Sequence, residues 1–130
     1  MQHPHHHLAR LLGIALLASS TLALAVEHPQ VDTVDSTRVA FGLVQAETEA
    51  SGIRVHGSVA QRIPHRGAIP GEVRVQVLDA AGQVLAERDV SPMRRNRQAL
   101  SAHFNTHLDV VPPRGGSVRV IHLPVTAPLG

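Results

Sequence analysis

The amino-acid sequence predicts an all-β fold, a small antiparallel β-sandwich of about six or seven strands. Apolar and polar residues alternate with a period of two in successive segments, and turn-forming residues separate these segments. The chain of 130 residues has no cysteine, and its aromatic residues are two phenylalanines. Its core must therefore consist mainly of Val, Ile, Leu and Ala. β-Branched residues of this kind suit a pleated sheet better than a helix.

The N-terminal segment, residues 1–25, has the three parts of a secretory signal peptide. Arg10 lies in the short polar region, the run from Leu11 to Leu24 is mostly apolar, and Ala23-Leu24-Ala25 supplies small residues at a cleavage site. The alternative is an uncleaved membrane anchor, but an apolar run of about 15 residues is shorter than the roughly 20 that cross a bilayer. We therefore predict cleavage after Ala25, a mature chain without a transmembrane segment, and a periplasmic or secreted location.

The mature chain is expected to contain one domain between two tails. Residues 26–35 are predicted to form a flexible N-terminal tail, residues 36–123 the β-sandwich domain, and residues 124–130 a C-terminal tail. A chain of this length holds one hydrophobic core rather than two of ordinary size.

The first two predicted strands follow from the alternation. In the first, Val39, Phe41 and Leu43 alternate with other residues and are expected to face the core. The second runs from Ile53 to Ala60 and places His56 on its polar face, opposite to its apolar residues.

A loop from Pro64 to Gly71 precedes the third predicted strand, which has the most regular alternation in the chain. Its core-facing residues are Val73, Val75 and Val77. Asp79-Ala80-Ala81-Gly82 predicts a hairpin turn, because Asp can bond to the backbone of the turn and Gly can adopt positive φ. Val84 to Val90 is then the partner strand.

The segment from Gln98 to Val110 fits either a strand or a helix. Leu100, Phe104 and Leu108 could share a helix face, but strict alternation with polar residues over this length favours a strand. A break at residues 112–116 precedes the last predicted strand, from Val118 to Leu123. A small barrel is the alternative architecture, because the sequence does not show whether the sheet edges close.

One part of the chain resembles a known family. The run from Val75 to Leu85, preceded by Gly57-Ser58-Val59, resembles exported bacterial immunoglobulin-like domains of the FxLYD type, in which a strand ends in Asp and turns through Gly. Val75 and Leu78 stand where that family has Phe and Tyr. The resemblance implies an immunoglobulin-like sandwich and a non-enzymatic extracytoplasmic module, with no catalytic residues to assign.

Charge and motifs argue against two classes of function. The formal net charge is only +2, and loss of Arg10 with the signal peptide lowers it further, so strong attraction to nucleic acid is not expected. The sequence has no G-x-S-x-G elbow, no S-x-x-K motif, no thiol nucleophile and no H-E-x-x-H zinc signature. We therefore expect neither a nucleic-acid-binding protein nor an enzyme.

The basic segment Arg94-Arg95-Asn96-Arg97 has two interpretations. It could contact an anionic partner such as lipid head groups or an acidic protein surface. The interpretation we favour is a solvated loop that prevents a sheet edge from pairing with another chain.

The histidines are the residues that suggest a specific ligand, because imidazole binds zinc and copper. The candidate metal ligands are His56, His103, His107 and His122. On one strand His103 and His107 would lie about 13 Å apart at roughly 3.3 Å per residue, too far to chelate one ion. The second and fifth predicted strands pair in an immunoglobulin-like sandwich, so His56 could meet either of them across the sheet, with Asp109, His122 or water completing the site.

The sequence thus predicts a non-enzymatic accessory or binding module of the bacterial envelope, with a protein as its partner. The alternative is a periplasmic protein that binds copper or zinc through surface histidines.

Overall fold

The computed structural model describes residues 28–63 and 69–125, and this part of the chain forms strands and turns without a helix. The strands are β1 (Gln30–Val34), β2 (Val39–Glu49), β3 (Gly52–Gln61), β4 (Glu72–Leu78), β5 (Val84–Val90), β6 (Met93–Arg94), β7 (Ser101–Leu108) and β8 (Ser117–Leu123). They form a first sheet in the order β1-β8-β4-β5 and a second sheet in the order β2-β3-β7-β6. The predicted all-β sandwich is confirmed, and the ambiguous segment 98–110 contains a strand.

Several predicted features lie outside the described residues. They are the signal peptide (1–25), residues 64–68 with His65, and most of the C-terminal tail (126–130). In the part of the chain that the structure describes, no helix is long and apolar enough to cross a membrane.

The inner faces of the two sheets enclose one core of mostly aliphatic side chains. The core-facing valines of β4 and of its neighbour β8 are fully buried: Val73, Val75, Val77, Val118 and Val120. From the second sheet, Phe104 is buried, and its ring meets that of Phe41 edge to face with the centroids 6.0 Å apart. The predicted inward register of β4 is therefore confirmed.

The hairpin between β4 and β5 has the predicted turn chemistry. Asp79 Oδ1 accepts hydrogen bonds from the backbone N–H groups of Ala81 and Gln83, both at 2.9 Å. The N–H of Gly82 donates to the Asp79 carbonyl at 3.0 Å, and its φ of 85° lies in the left-handed region that favours glycine.

The prediction that Leu43 faces the core is wrong, because β2 contains a bulge. Pairing with β3 shifts register between Phe41 and Val44. An irregularity of this kind breaks the period of two, so that residues beyond it exchange faces. Val44 and Ala46 consequently pack against the core, whereas Leu43 is 73% exposed.

The predicted N-terminal tail, residues 26–35, contains a strand. Gln30–Val34 forms β1, which pairs in parallel with β8, whereas the other strand pairs are antiparallel in the described chain. The second sheet matches the immunoglobulin order ABED, and β8-β4-β5 matches the strands F, C and C′. β1 therefore occupies the edge position that the last immunoglobulin strand would take. Val31 packs against the core there, and the backbone of β1 gains hydrogen-bond partners along β8.

Candidate functional site

The outer face of the second sheet carries three of the four candidate histidines. β3 and β7 are paired antiparallel, as predicted, with His56 opposite Asn105 and with His103 opposite Ser58. Their neighbours on both strands point alternately into the core and outward, so these side chains share the outer face. The cross-strand meeting that the sequence suggested is therefore available to His56 and His103.

An open depression of about 570 Å³ crosses this face, and we call it the outer depression. Its lining residues come from β2, β3, β7 and the chain around β6: Leu43, Gln45, His56, Gly57, Ser58, Val90, Ser91, Met93, His103, Phe104 and Asn105. At its two ends lie the exposed apolar side chains of Leu43 and Met93, which are 73% and 75% exposed. Polar side chains of β3 and β7 lie between them.

The bulge in β2 forms one end of the outer depression. A Cβ atom at Gly57 would lie 2.7 Å from the carbonyl oxygen of Leu43, so only glycine allows the bulged backbone to approach β3 this closely. The bulge in turn directs the Leu43 side chain to the surface. Sequence alternation missed this residue, although the Gly42 beside it is a recognised signal for a bulge.

His107 lies outside the outer depression, in a polar cluster at the other end of the strands. Its Nε2 lies 3.2 Å from Ser51 Oγ and 3.9 Å from Glu49 Oε2, and its Nδ1 lies 3.4 Å from Asp109 Oδ1. Arg54 bonds to the same Glu49 carboxylate. These partners place His107 in a polar surface network, ionic at His107 only when the imidazole is protonated, and separate it from His103, as the strand spacing predicted.

His122 does not join the other histidines, because it faces the interior. It is only 3% exposed, and it follows Val118 and Val120 as the next inward-facing residue of β8. The alternation of residues in the sequence already indicated this orientation. Its Nε2–H donates to the Pro70 carbonyl at 2.8 Å, and its Nδ1 lies 2.9 Å from Ser36 Oγ. The ring thus connects β8 to two loops, and both nitrogens are occupied in this role.

Among the described residues, His56 has a carboxylate neighbour and His103 has none. His56 Nε2 lies 3.5 Å from Glu47 Oε1, an exposed pair that is ionic when the imidazole is protonated. His103 makes no hydrogen bond or ion pair with the described residues. Across residues 28–63 and 69–125, no group of three or more His, Cys, Asp or Glu side chains is placed to hold a metal ion.

The outer face of the first sheet carries a different polar arrangement. Arg74 donates to both carboxylate oxygens of Asp89, at 2.9 and 3.1 Å, and also contacts Glu87. The hydrogen bond from Arg74 lowers the pKa of Asp89, and the same bond raises the pKa of Arg74. Because its pKa is lowered in the folded state, the Asp89 carboxylate stabilises the fold at pH values above the usual pKa of Asp. This stabilisation is lost on acidification, and it is small because the pair is exposed to solvent. We interpret this cluster as structural.

The basic segment lies at an edge of the second sheet. The two residues of β6 pair with β7, and the side chain of Arg94 donates to the carbonyl of Arg97 at 3.1 Å. Asn96 Oδ1 accepts from the N–H of Gln98 at 3.0 Å. A strand this short, followed by an exposed charged turn, offers little backbone to another strand, which agrees with the edge-protecting interpretation.

Comparisons with protein-family models, with curated proteins and with solved structures find no match to this chain. The function of the protein must therefore be inferred from the outer depression and the side chains that line it.

Proposed function

We propose that this protein is an exported, non-enzymatic binding module of the bacterial envelope, which contacts a protein partner through the outer depression. The observation that carries the proposal is the pair Leu43 and Met93, large apolar side chains exposed at the two ends of a concave surface that also contains polar side chains of β3 and β7. Interfaces combine apolar anchors with polar groups that set orientation, and methionine is enriched in them. The signal-like segment 1–25 and the resemblance to exported immunoglobulin-like domains support the location.

A photo-cross-linking residue at Leu43 tests this function in living cells. We expect an adduct with an envelope protein from position 43, because this side chain borders the proposed contact. The matched control is Leu85 on β5, which is 45% exposed on the first sheet and should give no adduct. Equal adducts from both positions, or none from position 43, would contradict the proposed surface.

The same preparation tests export. Protein recovered from the envelope fraction should have the intact mass of a chain that begins at Val26. A mass that retains residues 1–25 would contradict both the signal peptide and the soluble exported state.

A second candidate function is supported by a separate observation, the shared position of His56 and His103 in the outer depression. In this second function, the protein is a periplasmic protein that binds a transition metal, zinc or copper. Imidazole is a ligand for both metals, and neighbouring strands of one sheet hold the two rings on the same surface.

Calorimetric titration of the tag-free mature protein with zinc tests the second function. We expect saturable binding near one equivalent, lost in His56→Ala because one of two imidazole ligands is removed. His28→Ala is the control, since His28 is exposed and precedes β1. No saturable heat, or equal weakening by both substitutions, would leave these histidines as ordinary surface residues.

A further inference from the structure

Met93 lies directly beside a candidate metal ligand. In the pairing of β6 with β7, Met93 is opposite His103. Directly opposite residues of an antiparallel pair have Cβ atoms about 4.5–5.5 Å apart. Met93 is 75% exposed, so its thioether is not part of the core and is accessible to an ion from solvent.

His56 lies on β3, on the other side of β7 from Met93. Since Ser58 is opposite His103 and Arg54 is opposite His107, both histidines of β7 are diagonal neighbours of His56, but only His103 lines the outer depression. Diagonal side chains lie about 7–8 Å apart at Cα, within reach of long or ring-bearing residues. Three adjacent strands thus bring two imidazoles and one thioether to the outer depression.

The chemistry of these three groups favours copper in its Cu(I) state. Two imidazoles supply only half of the four tetrahedral ligands that zinc takes, and no third His, Cys, Asp or Glu completes the set in the described chain, so zinc is expected to bind here but more weakly than at a full protein site. A thioether is a soft ligand that selects Cu(I), and imidazole also binds copper. Cu(I) is satisfied by three such ligands, whereas harder cations gain little from sulfur.

We propose that His56, Met93 and His103 bind one Cu(I) ion at the outer depression. The proposal rests on the second candidate function and adds to it a third ligand and the preferred ion. The ligands lie on the surface of a sandwich whose core is already closed, so the site can load and release copper without refolding. This arrangement suits a carrier or buffer of Cu(I).

The absence of cysteine makes the test unusually direct. The chain has two methionines and no cysteine, and Met1 lies in the predicted signal peptide. In the mature protein, any copper–sulfur scattering seen by X-ray absorption must therefore come from Met93. We expect one sulfur and two imidazole nitrogens around Cu(I) in the tag-free protein, prepared with a sulfur-free reductant and without oxygen.

Competition with a chromophoric Cu(I) chelator measures the contribution of each ligand. We expect one equivalent of Cu(I) to bind, Met93→Leu to weaken Cu(I) at least tenfold, and the same variant to leave zinc titration unchanged. His103→Asn should weaken both metals. Leu43→Ala and His107→Asn are controls that should change neither, because one side chain has no ligand atom and the other lies outside the depression.

The outcomes separate this proposal from the function on which it rests. Zinc binding that depends on His56 and His103, together with Cu(I) affinity unchanged in Met93→Leu, would keep the metal-binding function and overturn the role of Met93. Copper bound without sulfur scattering would overturn it as well. No saturable binding of either metal would overturn both.

Discussion

Replacing Val75 with Asp should unfold the domain. Val75 is fully buried in the middle of β4, opposite Val120 of β8. An aspartate there would place a carboxyl group among aliphatic side chains, and the ring nitrogens of His122, which also faces the interior from β8, are already occupied. Such a buried, unpaired polar group costs about 4 kcal/mol or more, against a total stability of about 5–15 kcal/mol for a domain of ordinary stability.

Arg74→Gln is the matched control for Val75→Asp, one residue away on the opposite face. It removes the ion pairs with Glu87 and Asp89, which are exposed and screened by solvent, so we expect only a small decrease in Tm. The chain has no Trp or Tyr, so unfolding is best followed by far-ultraviolet circular dichroism. Equal decreases in Tm for the two variants would show that the inward register of β4 is wrong.

Replacing Phe104 with Ala should also be severe, at about 3–5 kcal/mol. Phe104 is 3% exposed and is one of two aromatic residues in the whole chain. Because the rest of the core is aliphatic and the sheets limit its collapse, the removed ring would leave a cavity that its neighbours cannot fill. The substitution also removes the edge-to-face contact between the rings of Phe104 and Phe41.

Comparison with Phe41→Ala separates the stability lost with buried volume from the stability lost with the ring contact. It breaks the same aromatic pair, but Phe41 is only partly buried next to the bulge of β2. We expect a smaller loss in chemical denaturation than for Phe104→Ala. A loss as large as that of Phe104→Ala would mean that the aromatic contact, rather than the filled volume, stabilises this part of the core.

The alternation of apolar and polar residues correctly predicted side-chain orientation in strands with one face buried along its whole length. Val73, Val75 and Val77 share a buried face, so the period of two appears directly in the sequence. The same rule oriented β7 and placed His56 and His103 on one surface. The turn at residues 79–82 was also predictable, because its Asp and Gly satisfy the local backbone without help from distant residues.

Features that depend on distant partners were not visible in this way. The bulge of β2 moves Leu43 outward because its backbone packs on Gly57, a contact that local alternation does not encode. β1 has few core-facing residues of its own, and its place beside β8 is decided by the hydrogen bonds it completes at the sheet edge.

For the candidate site, the residue types came from the sequence and their grouping from the tertiary structure. Amino-acid identity alone supplied the imidazoles, the single methionine of the predicted mature chain and the absence of thiols. Strand order then separated His107 and His122 from the outer depression and brought Met93 opposite His103. The physical reason is that side-chain chemistry is local, whereas the distance between two ligands on different strands is set by sheet pairing, which the whole core determines.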